Sequence, residues 1–132
     1  LIAFVCKQLG VDFNCYTVAF EDKGFEEAED LVWAKKVAKE KNSRGIIMAG
    51  SGQGEIIAAN RVKGARAVLF YGGDPNILKL SRDHNDSNII SLGSRFLSEK
   101  EVKNAIKIWL KAPFSNAVRH KRRLKKNDSF VE

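Results

Sequence analysis

Short apolar runs alternate with stretches of helical periodicity along almost the whole chain, and few folds accommodate that order. Residues 45–49 read Gly-Ile-Ile-Met-Ala, residues 65–71 Ala-Arg-Ala-Val-Leu-Phe-Tyr, and residues 88–92 Asn-Ile-Ile-Ser-Leu. Runs that are apolar at successive positions suit strands covered on both faces. Residues 11–20, rich in β-branched and aromatic side chains, read as another strand.

The helices between these runs have recognisable ends. Residues 1–9 read as the end of a helix closed by Gly10, a C-cap residue that tolerates positive φ. Residues 26–41 carry Ala28, Leu31, Val32 and Ala38 at helical spacing, acids first and lysines last, as the helix dipole favours. A helix over 55–63 is expected to stop at Gly64. Asp74 and Pro75 open the next as N-cap and first helical residue, and it runs through Ile77, Leu78 and Ser81 toward His84. Ser98 and Glu101 form a capping box ahead of an apolar face of Val102, Ala105, Ile106 and Trp109, with Pro113 beyond the end. This alternation predicts an α/β fold: a doubly wound parallel sheet with helices on both faces, a Rossmann-like three-layer sandwich. At 132 residues a single domain over residues 1–132 is expected, carrying a basic C-terminal segment over 113–132. The chain opens without Met, in what reads as mid-helix, so the domain's first strand is expected ahead of Leu1.

Charge narrows the choice of ligand. The net charge is +7, yet it is concentrated at residues 119–126, Arg-His-Lys-Arg-Arg-Leu-Lys-Lys, where six of eight positions are basic. Without those six, 17 basic residues face 16 acids. An anionic ligand is therefore expected to meet the C-terminal segment. No apolar run approaches the roughly 20 residues a membrane helix needs, and the short apolar opening has no basic segment before it. Two cysteines, Cys6 and Cys15, make no disulfide framework, and no His/Cys spacing suggests a metal. A reducing, cytoplasmic location and no metal are the expectation.

The chemistry gathers in Ala49-Gly50-Ser51-Gly52-Gln53-Gly54-Glu55, which joins a buried strand to a helix. In open α/β sheets ligands bind at the carboxyl ends of strands. Alternate glycines let backbone approach a ligand, and free N–H groups at a helix start attract negative charge. A dinucleotide loop would need glycine at the position of Glu55, where a carboxylate repels a pyrophosphate; no Gly-Lys-Ser/Thr follows for a mononucleotide loop. A carboxylate in a first helical turn, beside open N–H groups, can instead act as general base while the loop stabilises an oxyanion. A tight structural turn with a favourably placed helix acid is the competing account of the same residues.

The motifs Gly-Ser-Gly-x-Gly-Glu (50–55), Ala-Ala-Asn (58–60), Gly-Ala-Arg-Ala (64–67), Arg-x-His-Asn-Asp (82–86) and Arg-His-x-x-Arg (119–123), in this order, decide between them. Over about residues 45–126 the chain closely resembles the ribose-5-phosphate isomerase B family, which includes the galactose-6-phosphate isomerase subunits. The resemblance implies an aldose–ketose isomerase without metal or cofactor, converting ribose 5-phosphate to ribulose 5-phosphate through an enediolate. Many members carry a cysteine where this chain has Ala49; another branch uses a glutamate directly after the loop, which Ala49 and Glu55 match. It implies that Glu55 moves a proton between C2 and C1, while Ser51 and the N–H groups around Gly52 and Gly54 hold the negative oxygen and Gly50 contacts the substrate. His84 would assist opening of the furanose ring and Asn85 would contact substrate oxygens. Arg95, Arg119 and Arg123 would grip the phosphate, where forked guanidinium donors suit a dianion. A homodimer with shared sites, or dimers associated further, is implied, with His84, Asn85 and Arg95 reaching into the partner's site.

Two family signatures are not found. An Asp-His-Ala-Gly motif would fall before Leu1, and where an Asp-Tyr-Pro would stand the chain reads Glu29-Asp30-Leu31-Val32. Two further readings therefore stand beside the first: an isomerase of a six-carbon sugar such as allose or galactose 6-phosphate, and a catalytically silent subunit that binds sugar phosphate. Nucleic-acid binding through residues 119–126 is disfavoured, because no stacking aromatics are interleaved with the charges and only Phe130 follows.

Overall fold

The computed structural model describes residues 6–8, 10, 29–40 and 42–131. In chain order they form α1 (Glu29–Lys39), β1 (Gly45–Ala49), α2 (Gln53–Ala59), β2 (Ala67–Phe70), α3 (Asn76–Asn85), β3 (Ile89–Gly93), α4 (Glu99–Lys111) and α5 (Val118–Asp128). Residues 6–8 are helical as well, and Gly10, at φ 65, donates its N–H to the Lys7 carbonyl at 3.1 Å. That is the C-terminal turn expected of this glycine. The strand expected over 11–20 lies outside the described residues.

The three strands are parallel, in the order β1-β3-β2. From β1 the chain crosses to the far side of where β3 will lie, then steps back to fill the gap. Two crossovers in opposite directions keep the right-handed sense only if their helices cover opposite faces. The core is divided in that way. Ile90 and Leu92 of β3 pack with Phe70, Leu78 of α3, and Val102, Ala105, Ile106 and Trp109 of α4. On the other face Ile89 packs with Ala34 of α1, Ala59 of α2 and Ala65. The expected doubly wound, three-layer arrangement is thus what the described residues form. All five residues of β3, Ser91 among them, are buried, as suits a strand covered on both faces.

Local chemistry sets the ends of the helices. Ser98 Oγ accepts from the Glu101 N–H at 3.3 Å, and the Glu101 carboxylate accepts from the Ser98 N–H at 2.8 Å. The capping box is therefore formed, and the four residues expected on the inner face of α4 are its buried residues. Asp74 Oδ1 accepts from the Asn76 N–H at 3.0 Å, opening α3 beside Pro75 as expected. Helix α2 stops at Ala59, short of the expected Lys63. The reason is Asn60, whose side-chain oxygen accepts from the Ala67 N–H at 2.7 Å while its amide donates to the Ala67 carbonyl at 3.1 Å. These two bonds fasten the chain to the start of β2 and turn it away from the helix axis. Ala112 takes an extended conformation (φ −73, ψ 123), as a residue before proline favours, so the basic segment forms a separate helix, α5. No helix among the described residues is long and apolar enough to cross a membrane.

Trp109 ties the larger core to the turn that follows α3. It is fully buried, and its indole N–H donates to Ser87 Oγ at 2.8 Å. Ser87 and Ser81 hydroxyls lie 3.0 Å apart, and Ser81 passes its hydrogen to the Leu78 carbonyl at 2.8 Å. Trp109→Ala should lower unfolding free energy by about 3–5 kcal/mol, read from the denaturant midpoint at constant slope. Trp109→Phe, which refills most of the volume but not the hydrogen bond, should cost clearly less.

Candidate active site

The glycine loop leaves the carboxyl end of β1 and is held from below by the end of β3. Ser94 N–H and Oγ both approach the Ala49 carbonyl, at 2.8 and 3.0 Å, and the Arg95 N–H donates to the Gly50 carbonyl at 3.1 Å. Ser91 Oγ donates to the Gly52 carbonyl at 3.0 Å from a fully buried position. Three loop carbonyls are thereby turned into the protein. Gly52 has φ 76, and a Cβ there would sit 2.7 Å from Leu69 Cδ1 and 2.8 Å from Ser91 Oγ, so no other residue fits. Gly93 allows the close approach from the other side: its Cβ would lie 2.8 Å from the Ser51 carbonyl oxygen and 2.9 Å from Tyr71 Cβ.

Glu55 stands in the first turn of α2, half-buried, and the Gln53 N–H at the helix start approaches Ser51 Oγ at 3.4 Å. The Arg95 guanidinium lies against Gly50, with its Cζ 3.2 Å from where a Cβ would be. A carboxylate, backbone N–H groups at a helix start and a guanidinium therefore share the carboxyl edge of the sheet. Such a set can take a proton from carbon and steady the oxyanion that results. The Arg95 guanidinium lies against the glycine loop of its own chain, to which its N–H also ties it.

The remaining expected site residues lie at the opposite edge. Helix α3 runs from the carboxyl end of β2 back to the amino end of β3, which carries His84 and Asn85 to the far side. A five-residue strand spans roughly 15 Å, and the two groups of one chain stand at its opposite ends. His84 Nε2 is 3.2 Å from Asp83 Oδ2. Its ring packs on that of His120, with centroids 4.5 Å apart and planes inclined by 45°. Arg119 and Arg123 follow on the exposed surface of α5. His120 Nε2 receives the Arg119 Nε–H at 3.1 Å, and His120 Nδ1 is 2.8 Å from Ser115 Oγ, which donates to the Asp83 carbonyl at 2.7 Å. A guanidinium can only donate, so His120 is neutral with its proton on Nδ1. Burial, then the neighbouring His84 and Arg119, push its pKa below the ordinary histidine value.

A clamp absent from the expectations presents His84 and Asn85. Arg82, only 3% exposed, donates to Asp86 Oδ1 at 2.8 Å, to the Ser87 carbonyl at 2.6 Å and to the Ala112 carbonyl at 3.3 Å. Arg66 holds the other Asp86 oxygen at 2.8 Å and the Asp86 carbonyl at 2.9 Å. Asp86 itself is left-handed (φ 45, ψ 44), which ends α3 directly after Asn85. The i,i+4 spacing of Arg82 and Asp86 was the available signal. For Ser91 it was a hydroxyl in the middle of an otherwise apolar buried run. Among the described residues no group of three His, Cys, Asp or Glu side chains comes together as a metal site.

The family model of ribose/galactose isomerases matches residues 10–127. Ribose-5-phosphate isomerase B of Mycolicibacterium paratuberculosis is 36% identical over 111 residues, covering 84% of this chain and 69% of that protein. Type B ribose 5-phosphate isomerase of Trypanosoma brucei superposes with a TM-score of 0.83 at 31% identity, over 98% of this chain and 87% of the other. Ribose-5-phosphate isomerase B of Mycoplasma genitalium, solved with bound ribulose-5-phosphate, superposes with a TM-score of 0.76 at 29% identity, over 97% of this chain and 86% of the other. The chain belongs to the ribose/galactose isomerase family.

Proposed function

We propose that this protein interconverts ribose 5-phosphate and ribulose 5-phosphate, with Glu55 as the base. The observation that carries the reading is that Glu55, in the first turn of α2, stands at the same carboxyl edge of the sheet as the glycine loop and the Arg95 guanidinium against it. The Glu55 carboxylate takes the proton from C2 of the open-chain aldose. The C2 electron pair forms a C1–C2 double bond, and the carbonyl pair moves onto O1. Ser51 and the N–H groups of Gly50, Gly52 and Gly54 neutralise that oxygen. Glu55 then returns its proton to C1 while the O2 proton passes to O1, leaving a ketone at C2 and a hydroxyl at C1. Atoms and charge balance without a further reactant. The names of the relatives support the pentose substrate, and the bound ribulose-5-phosphate of the Mycoplasma protein supports the product.

The two-ended arrangement supports a homodimer with shared sites, which can associate further. His84, Asn85, Arg119 and Arg123 of one copy would complete the site begun by Glu55, Ser51 and Arg95 of the other. His84 would deliver the proton that opens the furanose ring, Asn85 would bind sugar hydroxyls, and the arginines would hold the phosphate.

Glu55→Gln should reduce kcat by about 10²–10⁴-fold while inorganic phosphate still inhibits or binds with wild-type affinity; normal turnover would remove the assigned chemistry. Gly54→Ala places a methyl where the protein itself has nothing within 4 Å. Its thermal midpoint should hold or rise, since Gly is poor inside a helix, yet kcat/KM should fall because the methyl stands in the path of the substrate. Glu55→Gln and His84→Gln proteins, each inactive alone, should recover roughly a quarter of wild-type activity when co-refolded. Half of the dimers are then mixed, and each mixed dimer keeps one intact site. No recovery would show that both residues serve the same subunit.

A further inference from the structure

We propose that His120 is a positioning residue: it holds the Arg119 guanidinium in the orientation that meets the substrate phosphate. This rests on the assignment of Arg119 to the phosphate. Helix α5 has a single buried residue, His120, at 3% exposure, on a helix whose other faces are charged. An aliphatic side chain would anchor such a helix equally well. What histidine adds is a fixed acceptor. Its Nδ1–H is committed to Ser115 Oγ at 2.8 Å, and Ser115 is committed to the Asp83 carbonyl at 2.7 Å, so the ring cannot turn. Its face is packed on the His84 ring.

Nε2 is left pointing at the Arg119 Nε–H, 3.1 Å away. Engaging Nε restrains a long, exposed side chain and leaves both terminal amino groups free, the edge that binds an oxyanion in a two-pronged fashion. The charged and titratable groups that face the ring are His84 and Asp83 from α3 and Arg119 from α5. The same ring thus supports the phosphate ligand on one side and His84 on the other, so the group at the sugar ring and the group at the phosphate keep a fixed spacing.

Isothermal titration of the purified, full chain with inorganic phosphate tests the idea across Arg119→Gln, His120→Asn, His120→Gln and the Arg119→Gln/His120→Asn pair. Asparagine reproduces the Nδ1 side of the ring and keeps the Ser115 bond, but has no acceptor for Arg119; glutamine extends an amide oxygen to the Nε2 position. We expect His120→Asn to weaken phosphate about tenfold and His120→Gln to stay within about twofold of wild type, both with cooperative thermal unfolding. The double variant should be no weaker than Arg119→Gln alone, because His120 then has nothing left to orient. Should His120→Asn not fold, His120→Leu takes its place with the same expected loss. Wild-type affinity in the acceptor-less variant, or losses that multiply in the pair, would make His120 a packing residue and overturn the inference. An unchanged affinity in Arg119→Gln would instead remove Arg119 from the phosphate site, and the inference would fall with that assignment.

Discussion

The close approach of the loop at Gly52 to strand β3 is the contact from which the rest of the site follows. Ser91 reaches from the middle of the sheet to the Gly52 carbonyl, and Gly52 has room for a hydrogen atom only. The residue whose carbonyl is drawn inward is left-handed and stands just before α2. The same stitching, continued by Ser94 and Arg95 to Ala49 and Gly50, fixes where α2 begins and so where Glu55 stands. Because β3 is central among the described strands and completely buried, this platform rests on a support packed on both faces. A base that must sit within hydrogen-bond reach of one carbon gains from such a foundation, since small misplacements are costly in rate.

Much of this was legible before any coordinates because the relevant signals are local. An apolar run without alternation identifies a covered strand, a capping box identifies where α4 starts, and the spacing of Val102, Ala105, Ile106 and Trp109 identifies its inner face. The glycine loop was legible for the same reason. Side chains that bond to distant backbone were not. Asn60 shortens α2 through Ala67, and Ser91 organises a loop 39 residues earlier in the chain. Neither partner can be read from a propensity. Arg82 and Asp86 flank the recognised His-Asn pair, yet their task is to build the turn that displays it. A motif names residues that occur together; only geometry separates those that face a ligand from those that hold the others still.

Parallel strands also impose a division that no single chain can undo. All carboxyl ends lie at one edge, so a helix that leaves that edge must deliver its last residues to the other. His84 and Asn85 are such last residues, and α5 is fastened beneath them through Ser115 and His120. On the proposed reading, the carboxylate and the loop belong to one end of a subunit and the ring-opening and phosphate-binding groups to the other. A closed pair of subunits related by a two-fold axis satisfies both ends at once, because each contributes what its partner lacks.

The charge of α5 gains a physical sense from this arrangement. Arg119 and Arg123 are one turn apart, a spacing at which like charges destabilise an isolated helix, and α5 has no acid in its first turn to oppose them. Basic side chains near that end also meet the unfavourable pole of the helix dipole. Selection for stability alone would not place two arginines there. A dianionic phosphate lying between them would convert the repulsion into paired, forked hydrogen bonds, so the same residues that weaken the empty helix would strengthen the loaded one. Tethering Arg119 through its Nε to a buried neutral imidazole fits that scheme. The tether would add no second positive charge beside a phosphate bound there, and it restrains the side chain. On the proposed reading, the cost of crowding like charges would fall on the unliganded protein, and the binding of substrate would relieve it.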